Sequence, residues 1–368
     1  MPSSTNHPIA ICMATYEPDA DLFARQIESI RSQTSNSWIC LISDDHSTDE
    51  SVGMIEGILA GDERFRFSRS RKRLGFYRNF ERALGMVPPE CELVALSDQD
   101  DFWHPEKLET LAGLIGGRNL VYSDMRLTLP DGTELSPTFW RGRRNEYGNL
   151  ASVMIANTIT GSASLFRREL LDTALPFPEN PGWQFHDHWL AICALATGEV
   201  GYSDRALYDY IQHAGAVLGQ VSGSGTGSRL KEWLRELTGF GNYWRAGYYF
   251  DVLRLQAQAT ALLERTEAAG EQLDRGKAST LRRFSRAERS ILTLIWLLVR
   301  PFRALVGRNE TLGSETCLSR GLLWRRITGI RQKLPLPEPP TGPPPGDPGA
   351  YGPRGIRRWR AGQIRPGA

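Results

Sequence analysis

Three carboxylates within four positions are the most chemically suggestive feature of this sequence. Asp98, Asp100 and Asp101 follow an apolar segment that ends at Ser97. Clustered carboxylates repel one another, and their hard oxygen atoms suit Mg²⁺ or Mn²⁺, which often keeps only one or two protein carboxylates and also binds substrate phosphates. The cluster therefore predicts a divalent-metal site that would neutralise a departing diphosphate. The structural alternative is a solvated turn that caps a helix starting near Pro105.

Polar residues also follow two earlier apolar segments. They are Thr15, Tyr16 and Glu17 after the first segment, and Asp44 and Asp45 after the second. A carboxylate at a strand end is well placed to accept a hydrogen bond from a nucleobase or a ribose hydroxyl. We interpret Asp49, which follows in the same run, as the N-cap of the next helix.

A basic run at residues 69–73 precedes the start of a helix at residues 74–79. Cations and helix N-termini both favour phosphate, so Arg71 and its neighbours are candidate phosphate contacts; an ordinary basic surface loop is the alternative. Gly75 is expected to serve the turn, and Asn79 could hydrogen-bond at the site.

Two later positions complete the candidate set. Asp187 lies between His186 and His188 before a helix-periodic stretch and is a candidate general base; a helix N-cap is the structural alternative. His213 ends another apolar segment, where a neutral imidazole could bind a Mn²⁺-type ion, although a lone histidine usually has no such role.

Alternating apolar and helix-periodic segments between residues 8 and 128 predict an α/β fold with a doubly wound, mostly parallel sheet. Ligands of such sheets bind beyond the carboxyl ends of the strands, where the polar clusters fall. The predicted strands are 9–14, 38–43, 65–68, 93–97 and 120–123, and the predicted helices include 22–30, 50–59, 76–86 and 105–115.

Composition suggests a catalytic domain at residues 1–220, a helical region at 221–334 and a disordered tail at 335–368. A Gly/Ser run at 222–228 marks the first boundary, and proline, glycine and arginine dominate the tail. The net charge of +2 over 368 residues gives no reason to expect a nucleic-acid partner. The five cysteines lack metal-binding spacing and are expected to be mostly buried; with no secretory signal in view, we expect a cytoplasmic protein.

The segment 291–299 is intensely apolar and is bounded by Arg286, Arg289 and Arg300. It is too short to span a bilayer. An interfacial helix with snorkelling arginines would place the protein peripherally on the inner face of the cell membrane. A helix buried against the catalytic domain is the alternative.

Taken in order, these residues resemble the family 2 glycosyltransferases of the GT-A fold, in particular a bacterial rhamnosyltransferase-like subgroup. The resemblance covers roughly residues 8–215. It rests on the motifs at 13–16, 33–34, 44–49, 74–79, 97–107, 186–189 and 210–213.

The resemblance implies roles for individual residues. Thr15, Glu17, Asp45 and Asp98 would bind the donor, and Asp44, Arg71 and Asn79 are further donor-binding candidates from their places at a strand end and a helix start. Asp100 would bind the metal on the donor diphosphate, His213 would complete the metal shell, and Asp187 would be the catalytic base. The sequence departs from the family pattern at Ile211, at residues 214–216 and at His46, which replaces a glycine.

The implied reaction is an inverting displacement that moves a sugar from a dTDP- or UDP-sugar to a hydroxyl of a glycan or glycolipid acceptor. A sugar nucleotidyltransferase would need a glycine-rich basic loop after the first strand, and residues 13–18 form no such loop. A degenerate domain that acts as a nucleotide-sugar-binding scaffold or sensor at the membrane remains the second hypothesis.

Overall fold

The computed structural model describes residues 9–179, 184–212 and 243–329. Within these residues a nine-stranded sheet has the order β3-β2-β1-β4-β8-β6-β9-β5, and β7 pairs with β6. The strands are β1 Ile9–Thr15, β2 Trp38–Asp44, β3 Phe65–Arg69, β4 Leu93–Ser97, β5 Phe102–Trp103, β6 Leu120–Thr128, β7 Glu134–Ser136, β8 Ser164–Arg167 and β9 Val200–Ile211.

The first half of the sheet is parallel, as the strand-helix alternation predicts. β1 pairs in parallel with β2 and β4, and β2 pairs in parallel with β3. The predicted α/β fold is therefore confirmed, and Thr15, Asp44 and Ser97 end their strands at one edge of the sheet.

The second half of the sheet is mixed. β8 runs antiparallel to both β4 and β6, β6 and β9 are parallel, and the short strands β5 and β7 pair antiparallel to β9 and β6. Because β8 is antiparallel to β4, the residues just before β8 lie at the carboxyl end of β4. This reversal brings Gly161 and Ser162 to the carboxylate cluster.

Seven helices accompany the sheet in the described part of residues 9–212. They are α1 Ala20–Arg31, α2 Asp49–Leu59, α3 Phe76–Leu84, α4 Lys107–Ile115, α5 Leu150–Ile155, α6 Leu170–Ala174 and α7 His186–Thr197. The predicted cap of α2 was wrong by one residue: Thr48 is the N-cap, and its side chain accepts a hydrogen bond from the Ser51 amide, while Asp49 lies in the first turn. A hydroxyl and a carboxylate side by side both suit this position, so the sequence left the choice open.

The described C-terminal residues are helical, as expected for this region. α8 consists of Tyr243–Ala246, a π-helical turn Gly247–Val252 and Leu253–Ala268; α9 is Arg275–Ser285, α10 is Ile291–Val299 and α11 is Glu315–Thr328, with 3₁₀ turns at Ala287–Arg289 and Arg300–Val306. None of the described helices is long and apolar enough to cross a membrane. The Gly/Ser run at 222–228 and the tail from 335 lie outside the described residues.

One hydrophobic core joins the sheet with the C-terminal helices. It contains strand residues such as Ile11 and Leu165, and also Leu262 and Leu322 of α8 and α11. α8 and α11 approach closely at two glycines: a Cβ added to Gly321 would lie 2.5 Å from the backbone nitrogen of Tyr248. As expected, four of the five cysteines are buried.

Candidate active site

Asp98 is the first carboxylate beyond β4 and is held by the segment that precedes β8. Its backbone amide donates to the Ser162 hydroxyl over 3.1 Å, and that hydroxyl donates to Oδ2 of Asp98 over 2.6 Å. Burial and the nearby charge of Asp100 raise the pKa of Asp98 to about 6. The carboxylate is therefore oriented by a neutral hydroxyl, and Lys107 opposes the rise of its pKa.

Asp101 is buried, and the structure gives neither of its carboxylate oxygens a hydrogen-bond partner among the described residues. Burial, with the charges of Asp98 and Asp100, raises its pKa. α4 begins after Glu106, which makes no side-chain capping bond. The buried position of Asp101 and this helix start exclude Asp101 as a solvated helix cap, whereas Asp98 and Asp100 are half-buried.

Lys107 is the buried cation beneath the cluster. Its ammonium group donates to the Ser162 carbonyl and lies 3.6 Å from the ring centroid of Trp103 and 4.5 Å from that of Tyr208. Burial lowers the pKa of Lys107, whereas Asp101 and Asp98 oppose this shift. Two aromatic faces and a carbonyl thus hold a lysine whose charge acts on the carboxylates above it.

Asp187 lies in the first turn of α7, two residues after the N-cap Phe185, so it does not cap the helix. Its Oδ1 accepts a hydrogen bond of 2.6 Å from the His188 amide. Burial raises the pKa of Asp187 to about 7, the His188 amide opposes this, and the charge of Asp98 adds to it. Asp187 adjoins Gly161, and Asp98 is bonded to the next residue, Ser162, so both carboxylates lie beside the segment that precedes β8.

Gly161 allows α7 to approach this space closely. A Cβ at Gly161 would lie 2.9 Å from Nε2 of His186 and 3.2 Å from Cβ of Asp187, so even alanine would push against both side chains. His186 stacks on Phe80 with 3.6 Å between ring centroids, and burial lowers its pKa to about 3. His186 is therefore a neutral packing residue behind the candidate base.

Asp44 and Asp45 lie at the end of β2, as predicted, but their oxygens already accept hydrogen bonds from the protein. Asp44 accepts from the Ser47 amide and hydroxyl at 2.9 and 2.6 Å, and Asp45 accepts from the amides of Leu74 and Gly75 at 2.5 and 2.9 Å. Oδ2 of Asp44 and both oxygens of Asp45 each keep a further lone pair, so contact with a donor nucleotide stays a prediction.

Thr15 and Glu17 are likewise engaged with the loop that follows β2. The Thr15 hydroxyl donates to Asp44 over 3.2 Å. Glu17, at φ 42°, is exposed and accepts from the Thr48 amide and the Ser51 hydroxyl at 2.6 and 2.5 Å. Burial raises the pKa of Glu17, but these hydrogen bonds outweigh it and lower the pKa overall.

Asn79 is buried and ties strand ends together. Its side-chain amide donates to the carbonyls of Ser43 and Thr15 at 2.7 and 3.2 Å, and its oxygen accepts from the Ser43 hydroxyl at 2.6 Å. The Gly75 N-cap of α3 has φ 81°, which confirms its expected role in the turn. Arg71 is exposed on the same loop, and the structure brings it into none of these interactions.

Several contacts at these strand ends were not predicted from the sequence. Gln99 accepts from the Tyr16 amide at 2.8 Å and so links the ends of β1 and β4. Arg73, a member of the basic run at 69–73, lies 3.9 Å from the centroid of the Tyr16 ring. Ser162, Gly161 and Lys107 were also missed as site residues. Gln99 could have been predicted from its position between Asp98 and Asp100. Gly161 and Ser162 could not, because nothing in the local sequence shows that the antiparallel strand β8 brings them to the site.

The donor chemistry of the cluster fits a divalent cation. Asp98 and Asp100 present hard oxygen atoms, and the pKa of Asp98 is raised by burial and by the charge of Asp100, both of which a bound cation would offset. Within the described residues, no group of three or more His, Cys, Asp or Glu side chains could hold a metal by itself. Such an ion would need ligands from the substrate diphosphate and water. His213, the predicted further ligand, lies outside the described residues.

Residues 10–175 match the family model of glycosyl transferase family 2. The match covers 166 of the 368 residues, a little under half of the chain. The matched residues end before Asp187, so the candidate base lies beyond them, on a helix packed against them. The match supports the expected glycosyltransferase.

A curated relative and two solved structures are also similar to this chain. The uncharacterized protein y4gI of Sinorhizobium fredii is 29% identical over 139 residues, which make up 36% of this chain and only 15% of that protein. TarS of S. aureus, in complex with UDP-GlcNAc, has a TM-score of 0.47 and 15% identity, covering 90% of this chain and 95% of the TarS chain. The mannosyltransferase PcManGT of Pyrobaculum calidifontis, in complex with GDP-Man and Mn²⁺, has a TM-score of 0.46 and 15% identity, covering 87% and 86%.

Proposed function

We propose that the protein is an inverting, metal-dependent glycosyltransferase that moves one sugar from a nucleoside-diphosphate donor to an acceptor hydroxyl. One observation supports this most strongly: Asp187 of α7 adjoins Gly161, while Asp98 after β4 is bonded to Ser162, so the two acids lie beside the same segment. Burial, together with the charge of Asp98, raises the pKa of Asp187 to about 7. A carboxylate with this pKa is suited to accept a proton near neutral pH.

In the proposed reaction the chain's own residues orient both substrates. Asp187 removes the acceptor proton while the acceptor oxygen attacks the anomeric carbon, and the nucleoside diphosphate leaves on the opposite side. Asp98 and Asp100 hold the donor end, with Ser162 fixing the Asp98 carboxylate. A bound Mg²⁺ or Mn²⁺ would supply positive charge to the leaving diphosphate.

The donor and the acceptor are assigned by resemblance. dTDP-rhamnose is the first donor to test and UDP-sugars the second, with a cell-envelope glycan or a lipid-linked glycan as acceptor. The donor nucleotide is proposed to lie over the ends of β1 and β2, next to Thr15, Glu17, Asp44 and Asp45, with Arg71 and Asn79 nearby.

The decisive experiment measures nucleoside diphosphate release from dTDP-, UDP- and GDP-sugars with Mg²⁺ or Mn²⁺. We expect Asp187→Asn to lower kcat about 10²- to 10⁴-fold with little change in donor affinity, because the base acts only on the acceptor proton. Asp100→Ala should instead abolish the metal dependence of donor binding. Asp131→Asn removes an exposed carboxylate from the turn between β6 and β7 and serves as the matched control.

The second hypothesis makes the opposite prediction. A scaffold or sensor would bind one nucleotide sugar without turnover, even when a lipid-linked acceptor extract is supplied. Asp187→Asn would then leave every measured property of the site unchanged, and the assignment of a catalytic base would have to be withdrawn.

A further inference from the structure

The exposed apolar side chains of this protein are concentrated in one segment. Ten large apolar side chains are exposed among the described residues, and eight of them lie between residues 291 and 306. These eight are Ile291, Leu292, Ile295, Leu298, Val299, Phe302, Leu305 and Val306. We call them the apolar face. Contiguous exposed apolar surface of this kind is typical of an interaction site.

Helical geometry places the α10 members of the apolar face on one side. Leu292, Ile295 and Val299 follow the spacing of a single helix face, and Leu292 is 74% exposed. Thr293, Leu294 and Leu297 are buried on the other side against the protein. α10 therefore has apolar side chains on both sides, and only the inner side is covered by the described residues.

The 3₁₀ turn after α10 is inverted in polarity. Phe302 and Leu305 are 64% and 82% exposed, whereas Arg300 is only 8% exposed. Arg300 points inward to Glu315, 3.2 Å away. In a turn that faced water, the arginine would be exposed and the apolar side chains would be buried. The outer side of this turn is therefore suited to a less polar environment than water.

The sequence on both sides of the apolar face is rich in positive charge. Between residues 275 and 308 the sequence has eight arginines and one lysine but a single acidic residue, Glu288. Arg282, Arg286, Arg289 and Arg308 are exposed and form no ion pair with the rest of the described chain. Arg283 stacks over the Trp296 ring at 4.6 Å. An arginine at the edge of an apolar surface can lay its aliphatic stem along that surface and extend its guanidinium beyond it. This arrangement suits the headgroup layer of a membrane.

We propose that the apolar face docks on an anionic lipid bilayer. The nine residues of α10 span about 13 Å, well short of a membrane thickness of about 30 Å, so the helix lies in the interface. The apolar side chains enter the acyl boundary, and the arginines contact the phosphates above it. This surface is separate from the sugar-transfer site and does not depend on the proposed reaction.

The docked surface is rigidly connected to the active site. Arg300 donates to the Ser152 hydroxyl on α5. The neighbouring Val153 carbonyl accepts a hydrogen bond of 2.8 Å from His188, which adjoins Asp187. Docking would therefore hold the candidate base at a fixed height above the lipid, where a lipid-linked hydroxyl could reach it.

The test is co-sedimentation of the full chain with vesicles of phosphatidylcholine alone and of phosphatidylcholine mixed with an equal amount of phosphatidylglycerol. We expect binding to the anionic vesicles only, and the triple variant Leu292→Ser, Phe302→Ser, Leu305→Ser should weaken it at least about tenfold. Arg286→Gln with Arg289→Gln should also weaken it. Ile327→Ser, an exposed apolar residue of α11 outside the segment, should bind as the wild type does.

Three results would overturn the proposal. If the protein bound neutral and anionic vesicles equally well, the arginines would have no part in binding. Absence of vesicle binding by a wild-type monomer would remove the lipid partner. A wild-type dimer that the triple variant converts to monomer, without vesicle binding, would show that a second copy covers the face. The urea unfolding midpoint of the triple variant should stay near the wild-type value, which establishes that the variant is folded.

Discussion

The Asp187 carboxylate occupies a position that disfavours its own charge. Burial and Asp98 raise its pKa to about 7, against an ordinary value near 3.8. In the folded protein, ionised Asp187 is therefore destabilising, and this cost is largest above pH 7. This loss of stability accompanies the raised pKa, and a general base needs a pKa near the pH at which it works.

We predict that Asp187→Asn stabilises the fold while it abolishes turnover. At pH 8 the free energy of unfolding should rise by on the order of 1 kcal/mol, because the variant carries no charge at this position. The gain should shrink as the pH falls through 7, where the wild-type carboxyl protonates, and vanish below about pH 4. Urea unfolding at several pH values measures it.

The control for this prediction is Asp131→Asn, whose side chain is exposed. It should show no comparable gain at high pH. A loss of stability for Asp187→Asn at pH 8 would mean that the His188 amide bond outweighs burial, and the argument for a poised base would fail.

Single residues also show where sequence reasoning reached its limit. Asp44, Asp45 and Asn79 could be placed at strand ends because the apolar segments end just before them. Their partners could not be predicted: the amides of Leu74 and Gly75, which bind Asp45, come from a loop about thirty positions away. Polar type and position are local properties, whereas hydrogen-bond partners depend on the packing of whole elements.

At the scale of elements, the parallel half of the sheet was predictable and the mixed half was not. β1, β2 and β4 are continuous apolar segments next to helix-periodic ones, a clear signal of strand-helix alternation. β5 has two residues and β8 has four, which is too short for any period to show. The antiparallel β8 is also what brings Gly161 and Ser162 to the site.

Arg254 of helix α8 contacts His188 of the active-site helix α7, and Arg265 of the same helix lies 5.5 Å from the Trp189 ring centroid. Arg254 donates to Nδ1 of His188 over 2.9 Å, and Nε2 of His188 donates to the Val153 carbonyl. Burial, together with the positive charge of Arg254, lowers the pKa of His188 to about 3, so the ring is neutral and its tautomer is fixed. Since the His188 amide binds the Asp187 carboxylate, Arg254 acts as a positioning residue.

We predict that Arg254→Met lowers kcat between about 10- and 100-fold while donor affinity stays near its wild-type value. The loosened His188 should also shift the acidic limb of the kcat/KM pH profile, because the surroundings of Asp187 change. The matched control is Arg265→Met on the same helix, whose guanidinium binds the carbonyls of Thr173 and Ala174 at 2.8 and 2.9 Å. If Arg254→Met and Arg265→Met lowered kcat equally, and neither shifted the pH profile of kcat/KM, Arg254 would have only a structural role.

At the scale of the whole molecule, we propose that the catalytic domain at 1–220 and the helical region at 221–334 fold as one cooperative unit. The hydrophobic core extends across both regions. Amino-acid composition indicated a boundary between the two regions but not how they pack. Several of the hydrogen bonds between them are donated by arginines, which the sequence alone would place on the surface.

Buried ion pairs at this junction give the last prediction. The side chains of Arg300 and Glu315 are 7% and 1% exposed, and Glu310, at 1%, pairs with Arg303 at 2.9 Å. Glu315→Gln would leave Arg300 charged and buried without its partner, a change that costs about 3–5 kcal/mol. We expect a correspondingly lower free energy of unfolding in urea, with fluorescence and circular dichroism reporting one coincident transition.

The ion pair Arg168–Asp172 is the exposed control for this buried pair, since its aspartate side chain is 63% exposed. Asp172→Asn should cost less than about 1 kcal/mol. If Glu315→Gln instead split the unfolding into two transitions, the helical region would be melting on its own. The two regions would then be separate folding units, and the rigid link between the apolar face and Asp187 would not hold, because docking could no longer fix the height of the base.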